Sequence, residues 1–410
     1  MGFRVRKKFL LSSIALCLIS AVLFGCGSDS VDLKDMASDS IAQIKDESSQ
    51  DSEAAFDNTS AADKQNNKKK TDSTKPDSKE DEEIASDDDL AEEIEIVENP
   101  VQKYSTLSTW AAYWDYATAI EEIDALGDEL DTVVCFEALY GSDGRTILHP
   151  EGCDALLDLL KANYSGKKTI YLSYTNDCQN PDGSYTQKSV DLLRAVFSSD
   201  AAIDQYSSEM VADCKSAGVD GLELDYENMR KDDSLFAGYA QFISALAHKC
   251  SEAGLSFRVA TEYQSGIKCM LPDGPEYVVM CYNLYGYGTE PGPKADAAYL
   301  GQCFDNFAYL SHVNFAFSLG GFKWNDGNIS ALTENEALAL LATSGAQLSY
   351  EPSGGAYYSF NEADGSASTV FYADANTINT WKNLLKSKGA NAFSLWRLGG
   401  NNIDSLRGIK

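Results

Sequence analysis

Eight apolar, strand-like runs, separated by stretches of helical period, govern what residues 104–410 can fold into. The runs are 107–114, 131–139, 168–176, 218–227, 255–263, 277–282, 313–319 and 392–396. Helical patterns lie between them at 117–130, 154–162, 203–217, 235–253 and 297–310. Parallel strands need a crossover between them, usually a helix, so this alternation calls for parallel βα units. Eight units predict an α/β fold, a closed (β/α)8 TIM barrel. A doubly wound open sheet gives a similar rhythm over a shorter span. The seventh gap is about twice the usual length. Within it, a helix over 334–342 and a hairpin of 356–360 with 368–372 predict a small α+β insertion spanning roughly 320–385.

The fourth run reads Val219-Asp220-Gly221-Leu222-Glu223-Leu224-Asp225-Tyr226-Glu227-Asn228. Side chains alternate along a strand, which puts Leu222, Leu224 and Tyr226 on one face and Glu223, Asp225 and Glu227 on the other. Neighbouring carboxylates in that row lie roughly 7 Å apart. Crowding three acids is costly, and at least one should hold its proton to higher pH than usual. A carboxylic acid still protonated near neutrality can protonate a leaving oxygen, the requirement of a glycosidase. The bland alternative is an edge strand with a solvated acidic face.

The chain starts with an export signal over residues 1–25. Arg4, Arg6, Lys7 and Lys8 precede a mostly apolar run from 9 to 24, too short for a membrane-spanning helix. It ends Leu23-Phe24-Gly25-Cys26, similar to the bacterial lipoprotein box, which implies lipid attachment at Cys26 and an extracytoplasmic location on the cell membrane. Residues 26–103 are polar, acidic and nearly free of aromatics, and cannot bury enough apolar surface to offset ordering. They are expected to be a disordered tether. Residues 27–103 hold 23 acids against 9 bases, so about −20 of the chain's net −30 falls on residues 104–410. Such a domain is a poor partner for nucleic acid or anionic lipid, and a neutral substrate suits it better.

Barrel chemistry sits at the C-terminal strand ends. Those ends offer Trp110, Tyr113 and Trp114; Phe136 and Glu137; Tyr174 and Asn176; Asp225 and Glu227; Glu262 and Tyr263; Tyr282 and Asn283; Trp396 and Arg397. Flat rings beside a few polar groups suit sugars, whose C–H faces stack while their hydroxyls need partners.

Asp220-Gly221-Leu222-Glu223-Leu224-Asp225-Tyr226-Glu227 resembles the Asp-Gly-x-Asp-x-Asp-x-Glu signature of family 18 glycoside hydrolases, which include chitinases, endo-β-N-acetylglucosaminidases and spore-cortex-lytic enzymes. Met280-Cys281-Tyr282-Asn283, Pro291-Gly292-Pro293 and Phe393-Ser394-Leu395-Trp396-Arg397-Leu398-Gly399 resemble further family segments in order. The resemblance spans residues 104–410 and implies a retaining glycosidase that hydrolyses a β-linked N-acetylglucosamine-containing polysaccharide (a chitin-like oligomer, peptidoglycan or an N-glycan core) by substrate-assisted catalysis. By it, Glu227 is the general acid, Asp225 holds the N–H of the substrate's 2-acetamido group, and Tyr282 hydrogen-bonds the acetamido oxygen. Trp396 floors the reacting sugar, Asp220 supports the motif, and Glu223, Asn283, Tyr113 and Glu262 join the substrate site. No metal and no organic cofactor is implied. The chain departs from the pattern at Glu223 and Asn283, where aspartate is usual.

Eight cysteines fall in the domain without paired spacing, and His149, His248 and His312 are scattered without zinc spacing. An inactive sugar-binding relative and a solute-binding lipoprotein are the competing classes.

Overall fold

The computed structural model describes residues 102–410. The leader, Cys26 and all but the last two residues of the acidic tether lie outside the described residues.

Eight strands form the barrel: β1 Leu107–Ala112, β2 Thr132–Tyr140, β3 Thr169–Gln179, β4 Gly221–Asp225, β5 Ser256–Glu262, β6 Glu276–Met280, β7 Val313–Ser318 and β8 Phe393–Leu398. Each pairs in parallel with its neighbours. The β1–β8 pairing and the β2–β3 pairing complete the ring. Closure removes both sheet edges, so every barrel strand has two partners. The expected closed barrel is therefore the fold.

The alternation in β4 shows how the sequence drives this. Leu222, Leu224 and Tyr226 pack outward into the large core shared with helices such as Leu235–Ala253, while Glu223 and Asp225 turn into the barrel. Gly221 opens β4 because a Cβ there would collide with the Tyr171 ring. That ring belongs to a second apolar layer inside the barrel, with Trp110, Val134, Phe136, Ala260, Val278 and Ala316. Tyr282 and Trp396 pack against this layer.

The seventh gap holds a five-stranded antiparallel sheet in the order Asn328–Leu332, Gly320–Asn325, Ala367–Ala373, Ala356–Asn361, Ser349–Tyr350. Helix Glu334–Ser344 covers it, started by a capping box between Thr333 and Glu336. The sheet ends at Ala373, short of residue 385. Helix Ala375–Lys388 belongs to the barrel's outer ring, because its Ile378, Trp381 and Leu385 are buried in the main core. The insertion's first strand leaves directly from the C-terminal end of β7, which sets this sheet at the same end of the barrel as Asp225 and Trp396.

At the other end, Gln102 grips β5: its Oε1 accepts from the Phe257 amide at 2.9 Å and its Nε2 donates to the Phe257 carbonyl at 3.1 Å. The chain thus enters at the N-terminal floor. All eight cysteines of the domain are free thiols.

Candidate active site

The C-terminal mouth gathers carboxylates from four neighbouring strands. Glu227 lies just beyond β4, its side chain 14 % exposed. Asn176, near the end of β3, clamps its backbone: the Glu227 amide donates to Asn176 Oδ1 at 2.9 Å, and Asn176 Nδ2 donates to the Glu227 carbonyl at 3.1 Å. The next residue, Asn228, donates its amide to Glu262 Oε2 at 3.0 Å. Glu227 is thereby fixed from both flanking strands.

Burial and mutual repulsion act on the surrounding acids. Desolvation, then the charges of Glu227 and Glu223, push Asp225 well above the usual carboxylate range, and its buried Oδ1 has no hydrogen-bond partner. Desolvation, with Asp177 next, raises Glu137 to about 8. Desolvation also raises Asp177 and Glu262, each with Glu227 adding to it. The Tyr282 phenol is raised by burial first and then by Glu227, Asp225 and Glu223, which places it in the same field. Within this cluster Glu137 holds a proton near neutral pH that an ordinary carboxylate releases.

Glu137 offers a direct check. Its folded value lies above its ordinary 4.5, so the folded state binds more protons than the unfolded chain between pH 4.5 and about 8. The stabilising contribution is complete below 4.5 and is lost as pH rises to about 8. Glu137→Gln should therefore flatten the fall in thermal stability between pH 5 and 8 measured for the wild type.

Aromatic rings line the β1, β2 and β8 side. Trp396 meets Phe136 edge-on at 4.8 Å and Trp110 at 5.7 Å, and Phe136 meets the exposed Trp114 at 5.9 Å. Tyr113 packs on Trp114 at 4.8 Å, its hydroxyl raised to about 12 by burial and by Glu137. Glu122 steadies the β8 end by accepting from the Gly399 amide at 2.8 Å and from Asn401 Nδ2 at 2.6 Å. On the insertion side, Lys294 donates to Ser318 Oγ at 2.8 Å and lies 4.8 Å from the centre of the Phe322 ring.

Glu227, Asp225, Tyr282 and Glu262 thus come together, with Trp396 and Tyr113 on the aromatic side and Asn283 exposed beside Tyr282. Glu223, expected at the substrate, and Asp220, expected to support the motif, both lie away from the mouth. Asp220 sits at the barrel floor, its Oδ2 accepting from the Ile170 amide at 2.9 Å, and cannot reach a ligand at the mouth. Glu223 is fully buried below Asp225 and faces Arg258 across 2.7 Å, with Trp110 Nε1 donating to its Oε1 at 2.7 Å. It has no surface to offer a sugar. Tyr174 and Tyr263 also turn away: Tyr174 donates to Asp213, and Tyr263 packs on Tyr299.

Sequence reasoning named neither Asp177, Lys188 nor Arg258. Lys188 Nζ donates to Glu227 Oε2 at 2.8 Å from a hairpin 39 residues upstream. Arg258 carried a signal, since it is a lone cation in an apolar strand, directly in register with Glu223. Among the described residues, no group of three or more His, Cys, Asp or Glu side chains is arranged to hold a metal ion.

Fold and mouth together define a class: a (β/α)8 barrel with an antiparallel insertion before its last strand and carboxylates at the end of β4. Among solved structures, a chitinase from Chromobacterium violaceum superimposes with a TM-score of 0.63 at 17 % identity, covering 74 % of this chain and 98 % of that one. The Bacillus cereus spore cortex-lytic enzyme SleL gives 0.62 at 16 %, covering 75 % and 74 %. A class V chitinase from Nicotiana tobaccum, solved in complex with NAG4, gives 0.57 at 14 %, covering 73 % and 96 %. No family description and no curated protein sequence matches the chain.

Proposed function

We propose that this protein is a retaining glycoside hydrolase that cleaves β-linked N-acetylglucosamine-containing glycans by substrate-assisted catalysis. The observation that carries this is the placement of Glu227 at the mouth, in electrostatic contact with Asp225 and Tyr282 and across from an aromatic side. The barrel shared with chitinases and a cortex-lytic enzyme supports it.

In this mechanism Glu227 donates its proton to the glycosidic oxygen while the substrate's own acetamido oxygen attacks the anomeric carbon and the C–O bond breaks. Asp225 accepts the acetamido N–H, which makes that oxygen more nucleophilic. Tyr282 donates to the same oxygen, and Trp396 supports the ring. Water then attacks the cyclic intermediate and gives its proton to Glu227, so the product keeps its anomeric configuration. The basic leader and Cys26 support an extracytoplasmic enzyme, lipid-anchored to the cell membrane, with a polysaccharide rather than a nucleic acid as its partner.

A fluorogenic chitobioside and its 2-hydroxy counterpart, a cellobioside, test the proposal. Hydrolysis of the acetamido compound alone, with a β product seen first by NMR, is expected. Binding of chitobioside without turnover, or an inverted product, would show a different protein.

A further inference from the structure

We propose that Lys188 selects the leaving sugar by charge: it rests on Glu227 in the free protein and passes to a carboxylate carried by the aglycone. The inference rests on the hydrolase function above and narrows its substrate class.

The ammonium donates to Glu227 Oε2 at 2.8 Å, although the lysine side chain is 48 % exposed. It is delivered by a built device. β3 runs past the barrel rim and pairs with Tyr185–Thr186 through a turn closed by the Gly183 amide on the Asn180 carbonyl. Lys188 follows with φ 51°, a left-handed conformation that non-glycine residues seldom adopt. Two contacts hold it there: its amide donates to Asp177 Oδ1 at 2.8 Å, and its carbonyl accepts from Asn228 Nδ2 at 3.4 Å. Asn228, beside Glu227, is itself left-handed at φ 72°. Strain held at such a point marks a functional constraint.

The pairing opposes the chemistry, because Glu227 Oε2 cannot face the glycosidic oxygen as a proton donor while it accepts from the ammonium. The other charged or titratable groups facing Glu227 are Asp225 on β4, Glu137 from β2, Asp177 from β3, Glu262 from β5 and Tyr282 after β6. All five are acids; Arg230 lies 3.5 Å from Glu262, and Lys188 is the cation in direct contact with Glu227. Moving its ammonium onto a substrate anion frees Oε2 to face the glycosidic oxygen and pass its proton to it. The anion must lie near that oxygen. A β-1,4-linked aglycone with an acidic ether on the neighbouring ring carbon, as in a muramic acid, meets this requirement. A neutral chitin-type aglycone does not.

The test uses N-acetylglucosaminyl-β-1,4-muramic acid and its methyl ester, with wild type, Lys188→Met and Lys188→Arg. Wild type should favour the acid over the ester in kcat/KM by at least about tenfold, a charge-assisted hydrogen bond's worth. Lys188→Met should bring that ratio near one, by lowering kcat/KM for the acid and not for the ester. Lys188→Arg should restore the preference. A preference that survives Lys188→Met, or an equal loss on acid and ester, overturns the inference, while continued dependence on Glu227 leaves the hydrolase function standing. Wild type inert on both compounds, and indistinguishable from Glu227→Gln, removes both.

Discussion

Glu227→Gln is expected to lower kcat on a chitobioside by roughly 10²–10⁴-fold, the usual contribution of a positioned proton donor, while oligosaccharide affinity changes little. Glutamine keeps the shape and accepts from Lys188 through its carbonyl oxygen, so the Asn176 clamp on the backbone at 2.9 and 3.1 Å is untouched. An unaltered fold is therefore predicted, and circular dichroism with a thermal melt checks it. The loss should appear in kcat rather than KM, because the missing interaction exists only as the leaving oxygen takes its proton. Turnover retained within a few-fold in this variant would remove Glu227 from the chemistry.

The second large effect concerns stability. Arg258 and Glu223 are both 0 % exposed, 2.7 Å apart inside the barrel. The guanidinium also donates to Ser108 Oγ at 3.0 Å, approaches Glu276 at 3.8 Å, and lies near the Trp110 and Tyr171 rings at 5.2 and 5.6 Å. The pair's geometry is imperfect: the close Nε–Oε2 approach is not angled as a hydrogen bond, and Arg258 Nη2 has no hydrogen-bond partner. Removing one member of such a pair strands the other's charge, and Arg258→Met is expected to cost about 3–5 kcal/mol. Adding Glu223→Gln should recover much of that loss, because a neutral amide needs no counter-ion in the barrel and can still accept from Trp110. Urea midpoints for the two single variants and the double variant close the cycle. Additive losses would show that the two side chains do not depend on each other.

Period and length made the barrel legible. Eight two-faced runs with helical crossovers leave few other ways to bury their apolar sides, and the glutamate closing the fourth run falls at the mouth for that reason. Alternation says which side of a strand a residue takes, but not how deep it lies. Asp220, Glu223 and Asp225 belong to one short stretch, yet they occupy the floor, the middle layer and the rim. Only the rim residue is within reach of a ligand at the mouth. Lys188 was hidden for a different cause: its place depends on a hairpin that overruns the barrel and on a left-handed backbone angle that no apolar period encodes. Glu137 was visible as a strand end, but its elevated proton affinity comes from burial that exists only once the ring has closed.

The grip of Gln102 on β5 fixes where the polypeptide meets the domain. Because the polypeptide enters beneath the barrel, the first described residues leave the carboxylate-lined opening unobstructed for a ligand arriving from the far side.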